Sequence, residues 1–103
     1  MAKRYEVKIR VVDVKGKCAA GYVVGDEFLI EWFYIKSFTR PVCLHAMSSM
    51  MSLLMPFLKG ISARDLGIGH EDDVGYVRCP DPGKPYTDGG TVLFELKRKP
   101  LEG

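Results

Sequence analysis

The chain carries little net charge. Fifteen Lys and Arg against thirteen Asp and Glu leave +2 over 103 residues, too little for charge alone to predict a nucleic-acid partner. It also lacks a long apolar run. The longest, around Met50 to Leu58, is interrupted by Ser52 and Pro56 and falls short of the roughly 20 residues that a membrane-spanning helix needs. The opening MAKRYEVKIRVV passes from charges into alternation with no apolar core and no cleavage site, so secretion is not expected. Cysteine is scarce and odd in number, at three, which argues against a disulfide framework. A soluble cytoplasmic chain with free thiols, or thiolates on a metal, is the expectation. There is no CxxC pair, P-loop, Gly-rich dinucleotide fingerprint, HExxH or Ser-His-Asp grouping, so no sequence motif demands an enzyme.

The residues present describe a small folded object. Apolar residues at 47% and charged residues at 27% give a globular balance, and the length sets a single domain spanning 1–103. YEVKIRVVDV alternates Tyr5, Val7, Ile9 and Val11 with Glu6, Lys8 and Arg10, the period of a half-buried strand. KGKCAAGYVVGD is a glycine-punctuated connection. EFLIEWFYI reads as a second strand reaching Ile35, bent or buried on both faces. Pro41 suits the first turn of a helix, with Ser37 or Thr39 as caps, and Gly60 is placed to end it after Leu58. ISARDLGIGHEDD is a loop, VGYVRC a strand, PDPGKPYTDGG a turn region and TVLFELKRK a closing strand. The order β-β-α-β-β predicts an α+β fold, one amphipathic helix packed on a small, mainly antiparallel sheet.

At about 100° per residue, Cys43, Met47, Met50, Leu54, Phe57 and Leu58 share one helix face, while Ser48, Ser49 and Ser52 lie on the other. Methionine crowding at 47, 50, 51 and 55 is expected to fill core. Cys43 and His45 stand two residues apart, about 200° around a helix, and so cannot grip one metal unless the helix starts later than Pro41 implies.

Cys18, Cys43 and Cys79 lie 25 and 36 residues apart, each at the edge of an element. Their default role is that of small apolar residues inside the fold. Edges on one rim can also converge, so the three cysteines form the candidate metal site, for zinc or iron, with His45 or Asp81 as a fourth ligand. Cys43, at a helix start, has an independent argument for thiolate reactivity. CPDPGKP is explained as a rigid turn in which Asp81 accepts backbone N–H groups, and HEDD at 70–73 as a solvated loop. Lys3, Arg4, Lys8, Arg10, Lys97, Arg98 and Lys99 would share a basic face if the first and last strands pair. With Tyr5, Trp32 and Tyr34 that face would make a weak nucleic-acid platform, although edge-strand charge explains it more simply. A nucleic-acid partner is therefore disfavoured.

Taken together, Cys18 followed by VGDEF, VCLHA opening a helix that ends at Gly60, RCPDP, and the closing VLFELKR resemble a family of small prokaryotic proteins of uncharacterised activity with a three-cysteine pattern. The resemblance spans residues 5–98 and is anchored at Cys18, Gly25, Phe28, Cys43, Ala46, Gly60, Cys79, Asp81, Pro82, Val92 and Phe94. It implies a shared fold and places all three cysteines at motif positions. The family can carry an aromatic residue at the position of His45 and often has a Pro-Trp pair after the helix glycine. This chain has ISARDLGIGH there and extra residues around KPYTDGG. The expected function is a non-catalytic binding or accessory module with a cysteine-lined site for a metal or small ligand. The alternatives are a thiol-dependent redox protein or enzyme using Cys43, and the basic sheet face. An aromatic second strand in so small a sheet also admits a homodimer.

Overall fold

A computed structural model describes residues 4–101. Five strands, β1 (Tyr5–Lys15), β2 (Glu27–Glu31), β3 (Tyr34–Phe38), β4 (Val74–Arg78) and β5 (Thr91–Pro100), form one antiparallel sheet in the order β3-β2-β1-β5-β4. A single helix, α1 (Leu44–Leu58), lies on one face. The α+β class follows, with one strand more than the sequence pattern predicts. No helix among the described residues is long and apolar enough to cross a membrane.

The alternation expected of β1 is realised: Val7, Ile9 and Val11 are fully buried, and Lys8 and Arg10 are exposed. A bulge between Val11 and Asp13 inserts one residue against β5. It keeps Asp13 off the helix side and returns Val14 to it, opposite Val92. On β5, Val92, Phe94 and Leu96 complete the central stripe. Phe28 and Phe94 meet edge to face at 6.1 Å, and Tyr22 packs on both.

The stretch that reads as one long second strand is a hairpin. β2 stops at Glu31, and a two-residue turn, Trp32–Phe33, starts β3. Trp32 holds φ 59°, at a position where such turns favour glycine. The indole compensates by lying under the Arg4 guanidinium, whose Cζ is 3.3 Å from the ring centroid.

The helix starts at Leu44, later than Pro41 implies. Cys43 is its N-cap, in extended conformation with φ −75° and ψ 129°. Thr39, expected as a cap, instead donates its hydroxyl to Asp26 Oδ1 and accepts the Glu27 N–H. At the other end the expectation holds. Gly60 takes φ 99°, with Gly60 N–H donating to Phe57 O and Ile61 N–H to Pro56 O, the paired bonds of a Schellman motif. Ala46, Met50, Leu54, Phe57 and Leu58 are buried. Met51 and Met55 are not, contrary to the core role expected of the methionines. The reason is position: α1 packs against β1 and β4, leaving the outer side of the helix facing the β2–β3 hairpin across an open groove.

Candidate functional site

Strand register decides where the cysteines go. Lys15 at the end of β1 pairs with Thr91 at the start of β5, and Arg78 at the end of β4 pairs with Leu93. Glu27 at the start of β2 opposes Arg10, and Phe38 at the end of β3 opposes Phe28. All these termini lie at one end of the sheet. Cys18 follows β1 there, Cys79 follows β4, and Cys43 follows the β3 connection. Each is half-buried, a free thiol, and packed against the same core cluster.

Tyr22, which sequence reasoning leaves inside a glycine-punctuated connection, organises this end. It is buried; its phenol donates to Pro41 O at 3.3 Å and accepts the Cys43 N–H at 2.7 Å. The phenol thus takes one of the N–H groups that a helix start leaves without a partner, in place of the side-chain cap that Cys43 does not supply. Burial raises the Tyr22 pKa above its ordinary value; the Cys43 N–H opposes this, and the nearby Cys43 and Cys18 thiols add to it. Cys43 is thus held to this phenol through its N–H, and Cys18 lies four residues before Tyr22 in the same connection.

Asp26, in the GDEF stretch, ties the same two segments together. Its carboxylate accepts Val23 N–H at 3.0 Å, Thr39 Oγ1 at 2.9 Å and Arg40 Nε at 2.8 Å. The Val23 N–H, then the Arg40 bond, hold its pKa below the ordinary 3.8 against the opposing effect of burial. A depressed folded pKa contributes stability that is present above the unfolded value and lost as pH falls through the folded one. Asp26→Asn is expected to cost about 2 kcal/mol at neutral pH, the scale of hydrogen bonds to a charged group. That gap from wild type should narrow as the pH falls below the ordinary 3.8 and through the lower folded value. Urea unfolding of both proteins across this range measures it, and a gap independent of pH would contradict the assignment.

Asp81 behaves as expected of a turn residue. Its Oδ1 accepts Thr87 Oγ1 and, at 2.9 Å, the Gly83 N–H. The Thr87 bond, the Gly83 N–H and the charge of nearby His45 lower its pKa. His45 itself is exposed. This loop is pressed onto the β1–β2 connection: a Cβ on Gly16, which holds φ 82°, would lie only 3.2 Å from Gly90 Cα. The seam carries Cys18 on one side and leads from Asp81 on the other.

Among the described residues no set of three or more His, Cys, Asp and Glu side chains is arranged to hold a metal ion. The HEDD loop is engaged elsewhere. Asp72 accepts Ser62 Oγ, and Asp73 pairs with Arg98 at 2.7 Å.

The basic sheet face requires a correction. β1 and β5 do pair, but Arg98 points to the helix side and is buried, because alternation along β5 separates it from Lys97 and Lys99. On the open face Lys99 meets Glu6 at 3.5 Å and Lys97 meets Glu95 at 3.7 Å; Glu27 and Glu95 both oppose Arg10. The result is a mixed lattice with Lys8 and Lys97 opposite one another, while Arg4 is stacked on Trp32. Lys3 lies outside the described residues.

No protein-family profile, curated protein or solved structure matches the chain.

Proposed function

We propose that the protein is a non-catalytic binding module whose cysteine-lined rim takes a small thiophilic ligand. The observation that supports this reading is that Cys18, Cys43 and Cys79, half-buried and free, follow elements that end at one end of the sheet, where the Tyr22 phenol accepts the Cys43 N–H. The resemblance of the three-cysteine pattern to that of a small prokaryotic family supports it. Soft thiolates select soft ions such as Cu(I), which need fewer ligands than a four-coordinate zinc site. Cys18 and Cys43 are the ligands this reading assigns, each thiol releasing its proton on binding.

The test is titration of the reduced protein with Cu(I) and, in parallel, with zinc, following metal uptake and the number of reactive thiols. One equivalent of Cu(I) bound with two thiols protected, and uptake abolished in Cys18→Ser and Cys43→Ser, is the expected result. Three thiols that react as fast with either metal as without it would overturn the reading.

A second reading has its own observation. Cys43 is the N-cap residue of a 15-residue helix whose first turn holds no acidic residue, so no carboxylate of that turn offsets the positive helix end beside it. In this reading Cys43 is a reactive thiol of a redox protein or enzyme. Alkylation of Cys43 well ahead of Cys18 and Cys79 near neutral pH would favour it, and equal rates at all three would remove it.

A further inference from the structure

We infer that the cleft between the β1–β2 connection and the β4–β5 loop is an anion site that takes a diphosphate group. The cleft, about 450 Å³, is of the size that small-molecule sites occupy. One wall carries Lys15, Gly16 and Lys17, and the other Gly83, Lys84 and Gly89. Thr91, which pairs with Lys15 across the β1–β5 ladder, lines it as well. Three lysines thus line one concavity, against a single carboxylate, Asp88.

Elsewhere in the chain most cations are engaged. Lys36, Arg40, Lys97, Arg98 and Lys99 each pair with a carboxylate. Arg4 and Lys59 lie over the Trp32 and Phe33 rings, and Arg64 donates to His70 O. Among the described residues no carboxylate pairs with Lys15, Lys17 or Lys84, although Asp88 lines the same cleft. Asp81, the other carboxylate of the loop, accepts the Gly83 N–H and the Thr87 hydroxyl instead. Like charges gathered in a concave site raise its potential and draw in an anion, and the repulsion among them is relieved when one binds.

The backbone suits the same ligand. Gly16 at φ 82° and Gly83 at φ 75° both face the Gly89–Gly90 segment: a Cβ on Gly16 would lie 3.3 Å from Gly89 O, and one on Gly83 3.8 Å from it. Three stretches of main chain therefore meet with no side chain between them, and a phosphoryl group can come close to their peptide groups. The loop wall is held in shape before any ligand arrives, since Tyr86 and Thr87 N–H both donate to Gly83 O at 3.0 Å, which lowers the ordering cost of binding. The Thr91 hydroxyl is the one buried side-chain oxygen or nitrogen among the described residues without a hydrogen-bond partner, where buried polar groups normally have one. A change of χ1 rotamer can turn it toward a bound oxygen. A diphosphate suits the cleft better than a single phosphate because its two phosphoryl groups can meet lysines of both walls at once. Among the described residues no aromatic side chain lines the cleft, so a nucleoside base gains nothing there.

The experiment is calorimetric titration of the full chain with pyrophosphate at low salt, with inorganic phosphate, ADP and a single-stranded DNA oligomer as parallel arms. The expected result is one site with Kd of about 100 µM or tighter, and an affinity that falls as salt is added. ADP no tighter than pyrophosphate assigns the diphosphate group by itself, and ADP tighter than pyrophosphate assigns a nucleotide as its source; either keeps the site. Lys15→Ala, Lys17→Ala and Lys84→Ala, all at exposed positions, should stay folded by circular dichroism and each weaken binding about fivefold or more. Asp88→Asn should tighten it about twofold, a gain that damage to the fold does not produce. A chain that does not bind pyrophosphate overturns the inference. So do an affinity that survives the lysine substitutions, inorganic phosphate bound as tightly as pyrophosphate, or the DNA oligomer bound more tightly through the same lysines. None of these outcomes bears on metal uptake by the cysteines, so the two readings stand or fall separately.

Discussion

Arg98→Ala is expected to be the most damaging single substitution on the polar side of this fold, costing about 4 kcal/mol. All five guanidinium N–H groups are used. Nη1 donates to Phe57 O and Ile61 O, both at 2.7 Å, Nη2 to Asp72 O at 3.0 Å and Asp73 Oδ1 at 2.7 Å, and Nε to Asp73 Oδ1 at 3.0 Å. The group also lies over the Tyr5 and Phe57 rings, with Cζ 4.8 and 4.3 Å from their centroids. One side chain thus joins the C-terminal end of α1, the turn after it, the loop before β4, and β5. Removing it takes the Arg98 donors from three carbonyls, of which Phe57 O and Asp72 O keep the Gly60 and Ala63 N–H groups, at about 1.5–3 kcal/mol for each hydrogen bond to a charged group before relaxation.

The carbonyls, more than the ion pair, set that magnitude. Asp73 is 63% exposed, so Asp73→Asn should cost under about 1 kcal/mol, as for other solvent-screened pairs. Arg98→Lys keeps the charge but not the planar five-donor geometry, and an intermediate loss of about 2 kcal/mol is expected. Against a total stability of about 5–15 kcal/mol, the alanine variant should melt about 20 °C below wild type. Denaturant unfolding of the three variants gives the order directly. A loss for Arg98→Ala no larger than that for Asp73→Asn would refute the carbonyl account.

Gly90→Ala should come next, at about 3 kcal/mol, the upper end of what overpacking usually costs. A Cβ there would sit 2.5 Å from Lys15 O, 2.7 Å from Lys17 N and 2.8 Å from Gly16 C. All three are backbone atoms, so no side chain can swing aside; the β1–β2 connection itself must move. Since that connection carries Cys18, the variant should also speed modification of the Cys18 thiol while leaving Cys43, held through Tyr22, less affected. Gly67→Ala is the control. Gly67 has φ 77°, and a methyl group added there would meet nothing within 4 Å, so it bears only left-handed backbone strain of about 1–2 kcal/mol. Equal losses at the two glycines would show that the seam is not tightly packed.

What can be read ahead of the structure, and what cannot, divides along physical lines. β1 and β5 are legible because each is buried on one face, which imposes a period of two whatever lies beyond. The end of α1 is legible because Gly60 meets a purely local demand for positive φ. The start of α1 is not. Pro41 is a sound local signal, but Asp26 binds Thr39 and Arg40 from a distance of 13 and 14 residues, and Tyr22 Oη receives the Cys43 N–H across 21. These bonds hold the chain extended until Leu44. The hairpin at Trp32–Phe33 is hidden for a different reason: tryptophan at φ 59° is not a residue that turn chemistry proposes. The inward direction of Arg98 is implicit in the alternation of β5, but a basic triplet reads as one surface unless that alternation is applied through it.

The candidate sites follow the same division. Local composition and periodicity are enough to put the three thiols at element boundaries, to give the chain one helix with a broad apolar stripe, and to balance its charge too closely to define a partner. They do not bring Cys18, Cys43 and Cys79 to the same end of the sheet, because that depends on strand register. Nor do they leave Met51 and Met55 uncovered, because that depends on where the helix lies across the sheet. Both outcomes belong to long-range pairing and packing, which no local pattern of residues encodes.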